Sequence, residues 1–264
     1  MTRRVVMFSG GIGSWGAAQA VKEAHGTADL TLLFCDTLVE RPDLYVFLAA
    51  AAADVGVPVT RIADGRTPFQ VFRDERFLGN SRVDPCSKIL KRQPADRWLK
   101  INCDPADTVV YVGIDWTESH RFDDGRGGGL RPRRAKQGWT YEAPLNAPPY
   151  LSKPDLIRRA TARGLPVSRS YRLGFAHDNC SNLCCKAGQG QFAALLREDP
   201  GTYAYGEREE ESLRDLLGDV SMMTDRSGDG VKKPLTMRQF RERIQAGAQV
   251  DAFDIGGCGC FVDD

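Results

Sequence analysis

The residues Ser9-Gly10-Gly11-Ile12-Gly13-Ser14 stand between a β-rich run and a helix-forming run. A turn of this kind can bind phosphate. Its backbone N–H groups point inward, no Cβ blocks approach at the glycines, and the following helix presents the positive end of its dipole. The two serines add hydroxyl donors, so Ser9, Gly10, Gly11, Gly13 and Ser14 are the expected phosphate contacts. The loop lacks the Gly-Lys-Ser/Thr ending of a Walker loop, and its glycine spacing is not the dinucleotide fingerprint.

Thiols form the second chemistry-bearing set. The chain has eight cysteines, and Cys180, Cys184, Cys185, Cys258 and Cys260 all follow Gly174. In a reducing compartment such clustering points to metal or redox chemistry rather than to a disulfide framework. Two close pairs far apart in sequence can supply four thiolates to one metal centre, and a tetrahedral set of four also suits zinc. Cys86 is placed differently. In Asp84-Pro85-Cys86-Ser87-Lys88-Ile89-Leu90-Lys91-Arg92 it stands at an expected helix start with cations behind it. That setting favours the thiolate and makes Cys86 a candidate nucleophile or persulfide carrier, with Lys88 or Lys91 as a phosphate contact. Cys35, inside an apolar run, and Cys103 read as core or incidental residues. Glu118 and Arg121 follow the strand end Gly113-Ile114-Asp115. Arg121 offers a fork-shaped ligand for phosphate or sulfate that Glu118 would orient; the alternative is a surface ion pair worth little.

Short apolar runs alternating with helix-forming runs must position these groups. Strands are expected at 3–8, 30–35 (ending at Asp36), 57–62 and 108–114, with helices at 15–24 and 42–54. Residues 67–100 read as helices interrupted by Pro85 and Pro94, and Ser152 caps a helix that ends near Gly164. The implied fold class is α/β, a doubly wound, mostly parallel sheet. Ligands of such sheets lie beyond the carboxyl ends of the strands, so residues 9–14, Asp36 and residues 115–121 should converge. After Tyr171 the alternation is lost, which divides the chain into a nucleotide-binding α/β part, 1–175, and a small cysteine-rich, mainly helical part, 176–264.

The bulk composition limits the partners. Among 264 residues, 42% are hydrophobic and the net charge is +1, so the chain as a whole offers no strong field to nucleic acid or to an anionic membrane. No run approaches the roughly 20 apolar residues of a membrane span, and the opening residues do not read as a secretory signal; a cytoplasmic protein is expected. Local charge is another matter. Residues 121–136 carry Arg121, Arg126, Arg131, Arg133, Arg134 and Lys136 around Gly127-Gly128-Gly129. This is a basic lid that closes over an anionic substrate, a docking loop for a nucleic-acid backbone, or simply solvated surface.

The phosphate loop resembles the PP-loop, Ser-Gly-Gly-x-x-Ser, of the ATP pyrophosphatases and the phosphoadenosine phosphosulfate (PAPS) reductase family, whose fold is adenine nucleotide alpha hydrolase-like. Residues 113–121, Gly-Ile-Asp-Trp-Thr-Glu-Ser-His-Arg, are similar to the Gly-Ile-Arg-x-x-Glu-Ser-x-x-Arg segment of that family. Tyr171-Arg172-Leu173-Gly174-Phe175 followed by Asn179-Cys180 resembles its Tyr-x-x-Gly-Phe and Asn-Cys segments, so the likeness spans about residues 3–187. Gly13 departs from it, standing where many PP-loops carry an acidic residue. The resemblance implies ATP or a related adenine nucleotide, with Asp36, Lys88 and Gly113 among its contacts. It also implies a [4Fe–4S] cluster on Cys180, Cys184, Cys258 and Cys260, with zinc as the alternative, Mg²⁺ as a further ion and Cys185 as a spare thiol.

The reaction implied first is ATP-driven sulfur transfer. ATP is split to AMP and pyrophosphate, activating an acceptor that then takes sulfur, with Cys86, Glu118 and Arg121 as the catalytic set. The acceptor is a nucleic acid or a small molecule, and the protein partner is a sulfur donor or a thioredoxin-like protein. Reduction of a sulfonucleotide is the alternative, although the tail lacks the terminal Glu-Cys-Gly-Leu-His of the reductases. A nucleotide-sensing module with a structural metal is the third reading. A homodimer is compatible with all three.

Overall fold

The computed structural model describes residues 2–80, 83–225 and 233–257. Five parallel strands form the central sheet in the order β3-β2-β1-β4-β5. They are β1 Arg3–Met7, β2 Leu30–Asp36, β3 Val59–Ala63, β4 Thr108–Tyr111 and β5 Thr140–Glu142. The helices are α1 Ile12–His25, α2 Pro42–Val55, α3 Pro68–Asp74, α4 Pro85–Ser87, α5 Gln93–Asn102, α6 Ser119–Phe122, α7 Leu130–Ala135, α8 Lys153–Ala162, α9 Arg169–Arg172, α10 Gln189–Glu198, α11 Pro200–Leu217 and α12 Met237–Gln245. A small antiparallel ribbon pairs β6 Met223–Asp225 with β7 Lys233–Leu235.

The strands are apolar on both faces because helices cover both. Val6, Leu32 and Phe34 pack under Trp15 of α1, Leu44 and Phe47 of α2 and Leu156 of α8. On the opposite face Val5, Leu33 and Val110 meet Leu99 of α5 and Leu130 of α7. The expected doubly wound α/β sheet is therefore the fold. Two local expectations fail. Pro94 does not interrupt its helix, because it occupies the first turn of α5, where no N–H is required. Immediately before it, Lys88–Arg92 forms a wider π turn closed by Gln93 N–H donating to the Lys88 carbonyl. The fourth strand ends at Tyr111, with the Val112 N–H still donating to the Glu142 carbonyl at 2.9 Å, since Gly113 beyond it faces the loop after β1 instead of a strand.

The described residues after 175 form no distinct cysteine-rich module, contrary to the sequence expectation. Phe175, Phe192, Leu195, Tyr203, Leu213, Met237 and Phe240 make an apolar core that also takes in Phe69 and Phe72 of α3. Aliphatic and aromatic burial holds this part together. Glu210 is its polar bracket. It is wholly buried, and its two carboxylate oxygens accept the N–H groups of Met222 at 2.9 Å and Met237 at 2.6 Å. Burial pushes this carboxyl up, and the two backbone donors oppose the shift. No helix among the described residues is long and apolar enough to cross a membrane.

Candidate functional site

The strand order changes direction at β1, which lies between β2 and β4, so the crevice between the ends of β1 and β4 is where a ligand belongs. Ser9 to Gly11 turns out of β1 into α1. Gly10 adopts φ +79°, and a Cβ there would lie 2.7 Å from Leu44 Cδ2, so both the turn and the packing exclude a side chain. Ser14 is buried and its hydroxyl donates to the Gly11 carbonyl at 2.7 Å, which tightens the loop. The Tyr171 hydroxyl, from the third sequence segment, accepts the Ile12 N–H at 3.0 Å and so marks the amino end of α1.

Gly13 and Gly113 explain one another. A Cβ on Gly13 would stand 2.7 Å from the Gly113 carbonyl oxygen, and one on Gly113 would stand 2.5 Å from Gly13 C and 2.6 Å from Ser14 N. The two backbones touch, and neither position has space for a side chain. The contact therefore accounts for glycine at both positions.

Around that contact lies a recess of about 120 Å³. Its walls include Ser9, Gly11, Gly13, Ser14, Gly113, Glu118, Arg121, Lys153, Tyr171, His177, Asp178 and Asn179. The volume suits a phosphoryl group; whole small-molecule sites usually run from about 300 Å³ upward. Arg121 pairs with Glu118 at 3.0 Å, and both stand on the recess wall. Lys153 was not singled out from the sequence. It is the first residue of α8 behind the Ser152 cap, and its Nζ lies 3.5 Å from His177 Nδ1. Burial and the charges of Lys153 and Arg121 push His177 down to about 4, against the opposing pull of Glu118, so its ring is neutral at pH 7. Burial raises the Glu118 carboxyl, but Lys153, Arg121 and His177 together hold it below the usual range. At neutral pH the recess wall carries the cations Lys153 and Arg121, the carboxyl groups of Glu118 and Asp178, the latter pushed up by burial, and a neutral imidazole; Lys153 and Arg121 are the groups suited to an anionic ligand.

Asp36 and Lys88 lie elsewhere. Asp36 is wholly buried and accepts from Leu38 N–H at 2.7 Å, Tyr45 Oη at 2.8 Å and Arg61 Nε at 2.8 Å. It fixes the loop after β2 and is not part of the recess wall. Lys88 is exposed on the π turn, whereas Lys91 is buried, with its carbonyl 3.5 Å from Cys35 Sγ. Burial pushes the Cys35 thiol up to about 12, in keeping with a core residue.

A second cavity of about 440 Å³ is lined by Cys86, Cys180, Cys184 and Cys185 together with Leu38, Phe69, Phe72 and Tyr205. The Cys185 thiol is hydrogen-bonded to Cys184 and Cys86, and those bonds, with its complete burial, keep it protonated. Cys180, Ser181 and Asn182 all take positive φ, 48°, 53° and 63°. A left-handed run of this length in residues with side chains costs roughly 1–2 kcal/mol per residue and must be held from outside. Glu40 Oε2 accepts the Cys180 N–H at 2.6 Å, the Ser181 hydroxyl donates to the Val39 carbonyl at 2.6 Å, and Gln191 Nε2 donates to the Asn182 carbonyl at 3.0 Å. The loop anchored by Asp36 thus clamps the thiol-bearing turn. Residues 176–179 wall the recess and residues 180–185 wall the thiol cavity, so one segment serves both.

The expected metal centre is corrected by this geometry. Among the described residues no group of three or more His, Cys, Asp or Glu side chains is arranged to hold a metal ion. Cys180 Sγ lies 4.0 Å from Thr37 Oγ1, while Cys184 and Cys86 are engaged by the Cys185 thiol. The [4Fe–4S] cluster, the zinc alternative and the Mg²⁺ ion are withdrawn accordingly. Cys258 and Cys260 lie outside the described residues.

The fold and recess define a class: an α/β protein with a glycine-rich loop and a recess at the switch point of a parallel sheet. No family model matches the chain, and no curated protein matches it. Two solved structures are similar in part. One is the PAPS reductase from Candida auris in a phosphate complex, at 17% identity and a TM-score of 0.45 over 65% of this chain and 78% of that one. The other is the U34-tRNA thiolase NcsA from Methanococcus maripaludis with its [4Fe–4S] cluster, at 12% identity and a TM-score of 0.34 over 92% of this chain and 81% of that one.

Proposed function

We propose that this chain is a PP-loop enzyme that uses an adenine nucleotide to drive sulfur transfer. The observation that carries the reading is the shared segment 176–185, which contributes to the wall of the recess holding Arg121 and Lys153 and to the wall of the cavity lined by four cysteines. In this reading an acceptor oxygen attacks the α-phosphorus of ATP and pyrophosphate leaves. Arg121 and Lys153 bind the phosphates, and Glu118 holds Arg121 in place. Cys86 takes sulfur from a persulfide donor, R–S–SH, which departs as the thiol R–SH. The terminal sulfur of the Cys86 persulfide then attacks the carbon bearing the adenylylated oxygen, and AMP leaves with that oxygen. A second thiol of the cluster attacks the Cys86 sulfur, the acceptor departs as its thiolate, and the two cysteines become a disulfide. An external dithiol reduces that disulfide for the next turnover. Cys185, kept protonated, is the proton donor beside the reacting sulfurs.

The test is sulfur loading. Reduced protein treated with a small-molecule persulfide and trapped by alkylation should gain the mass of one sulfur atom on the peptide containing Cys86. Cys86→Ser should reduce sulfur transfer to background while ATP binding is retained. Loading that persists in Cys86→Ser would remove Cys86 from the pathway. Sulfite release from a sulfonucleotide in the presence of reduced dithiol, with no sulfur loading, would favour the reductase reading instead.

A further inference from the structure

Ten large apolar side chains are exposed among the described residues, and two of them, Trp116 and Tyr150, are paired. Trp116 is 44% exposed and Tyr150 is 52% exposed, with ring centroids 6.3 Å apart in an edge-to-face arrangement. Exposed aromatic surface costs free energy unless a ligand covers it. The position of this pair narrows the ligand. Trp116 opens the 3₁₀ turn Trp116–Glu118, whose last residue walls the recess, and Tyr150 stands three residues before Lys153, which walls it too. The aromatic pair therefore stands on the two segments that supply Glu118 and Lys153 to the recess.

The surroundings are basic. Residues 116–136 contain six Arg or Lys against Glu118, Asp123 and Asp124. The inward cations are committed: Arg134 pairs with Asp96 at 2.8 Å, and Arg121 belongs to the recess. Arg126 and Lys136 are exposed, as is Arg131, which lies 3.7 Å from Asp123. Asp124 fixes the loop that carries Arg126, accepting the N–H groups of Arg126 and Gly128 at 2.8 Å each. An exposed aromatic pair on segments that supply Glu118 and Lys153 to the recess, with exposed cations following Trp116 along the chain, matches a base joined to a phosphodiester backbone. A peptide without acidic side chains would cover the rings but would leave the cations without complement.

We infer that Trp116 and Tyr150 form a stacking platform for an unpaired base of a single-stranded nucleic acid, the acceptor in the reading above. The inference rests on that reading for the acceptor role alone; the platform itself is tested by binding. Stacking on an aromatic side chain reads π-faces and not hydrogen-bonding edges, so the platform tolerates any base sequence. The exposed cations of the loop add a salt-dependent share of the affinity.

The experiment measures fluorescence anisotropy of a labelled single strand, as RNA and as DNA, and of the same strand with its bases removed. Wild-type protein should bind at least one base-bearing strand, and the abasic strand at least about fivefold more weakly. Trp116→Ala should bring both strands to the same weak affinity, and Trp116→Phe should restore most of the difference. Circular dichroism melting confirms that each variant is folded. Equal binding of abasic and base-bearing strands by wild type overturns the proposal, as does Trp116→Ala with wild-type affinity or an absence of binding to either strand. ATP titration runs in parallel. If Trp116→Ala weakens ATP as much as it weakens the strand, the platform serves the cosubstrate and the proposal is overturned. If wild type binds the strand but not ATP, the nucleotide reading fails while the platform stands.

Discussion

Replacing Gly113 with alanine should abolish productive nucleotide binding while leaving the sheet intact. The new methyl group would lie 2.5 Å from Gly13 C and 2.6 Å from Ser14 N, and both are backbone atoms at the start of α1. Backbone in a packed helix cannot rotate aside as a flexible side chain can, so the phosphate loop must retreat from β4. Overpacking of this kind costs roughly 1–3 kcal/mol of stability. The functional loss should be larger, because displacing positioning groups by about 1 Å can reduce activity on the order of a hundredfold. Gly257→Ala is the control, since a Cβ there meets nothing within 4 Å. Equilibrium ATP binding and urea unfolding of the two variants decide the matter. A Gly113→Ala protein that binds ATP as wild type does would mean that the loop does not hold the phosphates.

The second large effect is expected at Glu210, far from the recess. Glu210→Ala leaves the Met222 and Met237 N–H groups buried without an acceptor, at roughly 1–3 kcal/mol each. A loss of about 2–6 kcal/mol is a large fraction of the stability of an ordinary domain. The damage should concentrate in α11, α12 and the β6–β7 ribbon, where Glu210 ties three elements together. Hydrogen exchange should show these segments opening first, and Glu210→Gln, which keeps an acceptor oxygen, should recover part of the loss. A Glu210→Ala protein within about 1 kcal/mol of wild type would show that the bracket is dispensable. Burial and hydrogen bonding account for the order of this region.

The parts of the site that were legible in sequence are those set by local chemistry. A strand, two glycines and a helix start make a phosphate loop from adjacent residues, and residues 113–121 and 171–180 carried recognisable segments. All three meet at one recess. What escaped depends on distance along the chain. Lys153 read only as the residue after a helix cap, yet a signal was present: a cation in the first turn opposes the helix dipole and needs another reason to be there. β5 is three residues long, too short to show a period. Asp36 ends its strand as a ligand-binding aspartate would, but Arg61 and Tyr45, both brought by the fold, consume its oxygens. The meeting of Cys86 with Cys185, across 99 positions of chain, and of α3 with the C-terminal core are tertiary facts that no local pattern encodes.

The central claim is that the recess binds the phosphates of an adenine nucleotide through Lys153 and Arg121. Isothermal titration of reduced wild-type protein and of Lys153→Met with ATP and with adenosine tests it most directly. The account predicts one ATP site per chain, adenosine at least about tenfold weaker, and a further loss of about tenfold or more in ATP affinity for Lys153→Met, since hydrogen bonds to charged groups contribute about 1.5–3 kcal/mol. Equal affinity for ATP and adenosine, or ATP binding that is indifferent to Lys153→Met, would contradict it.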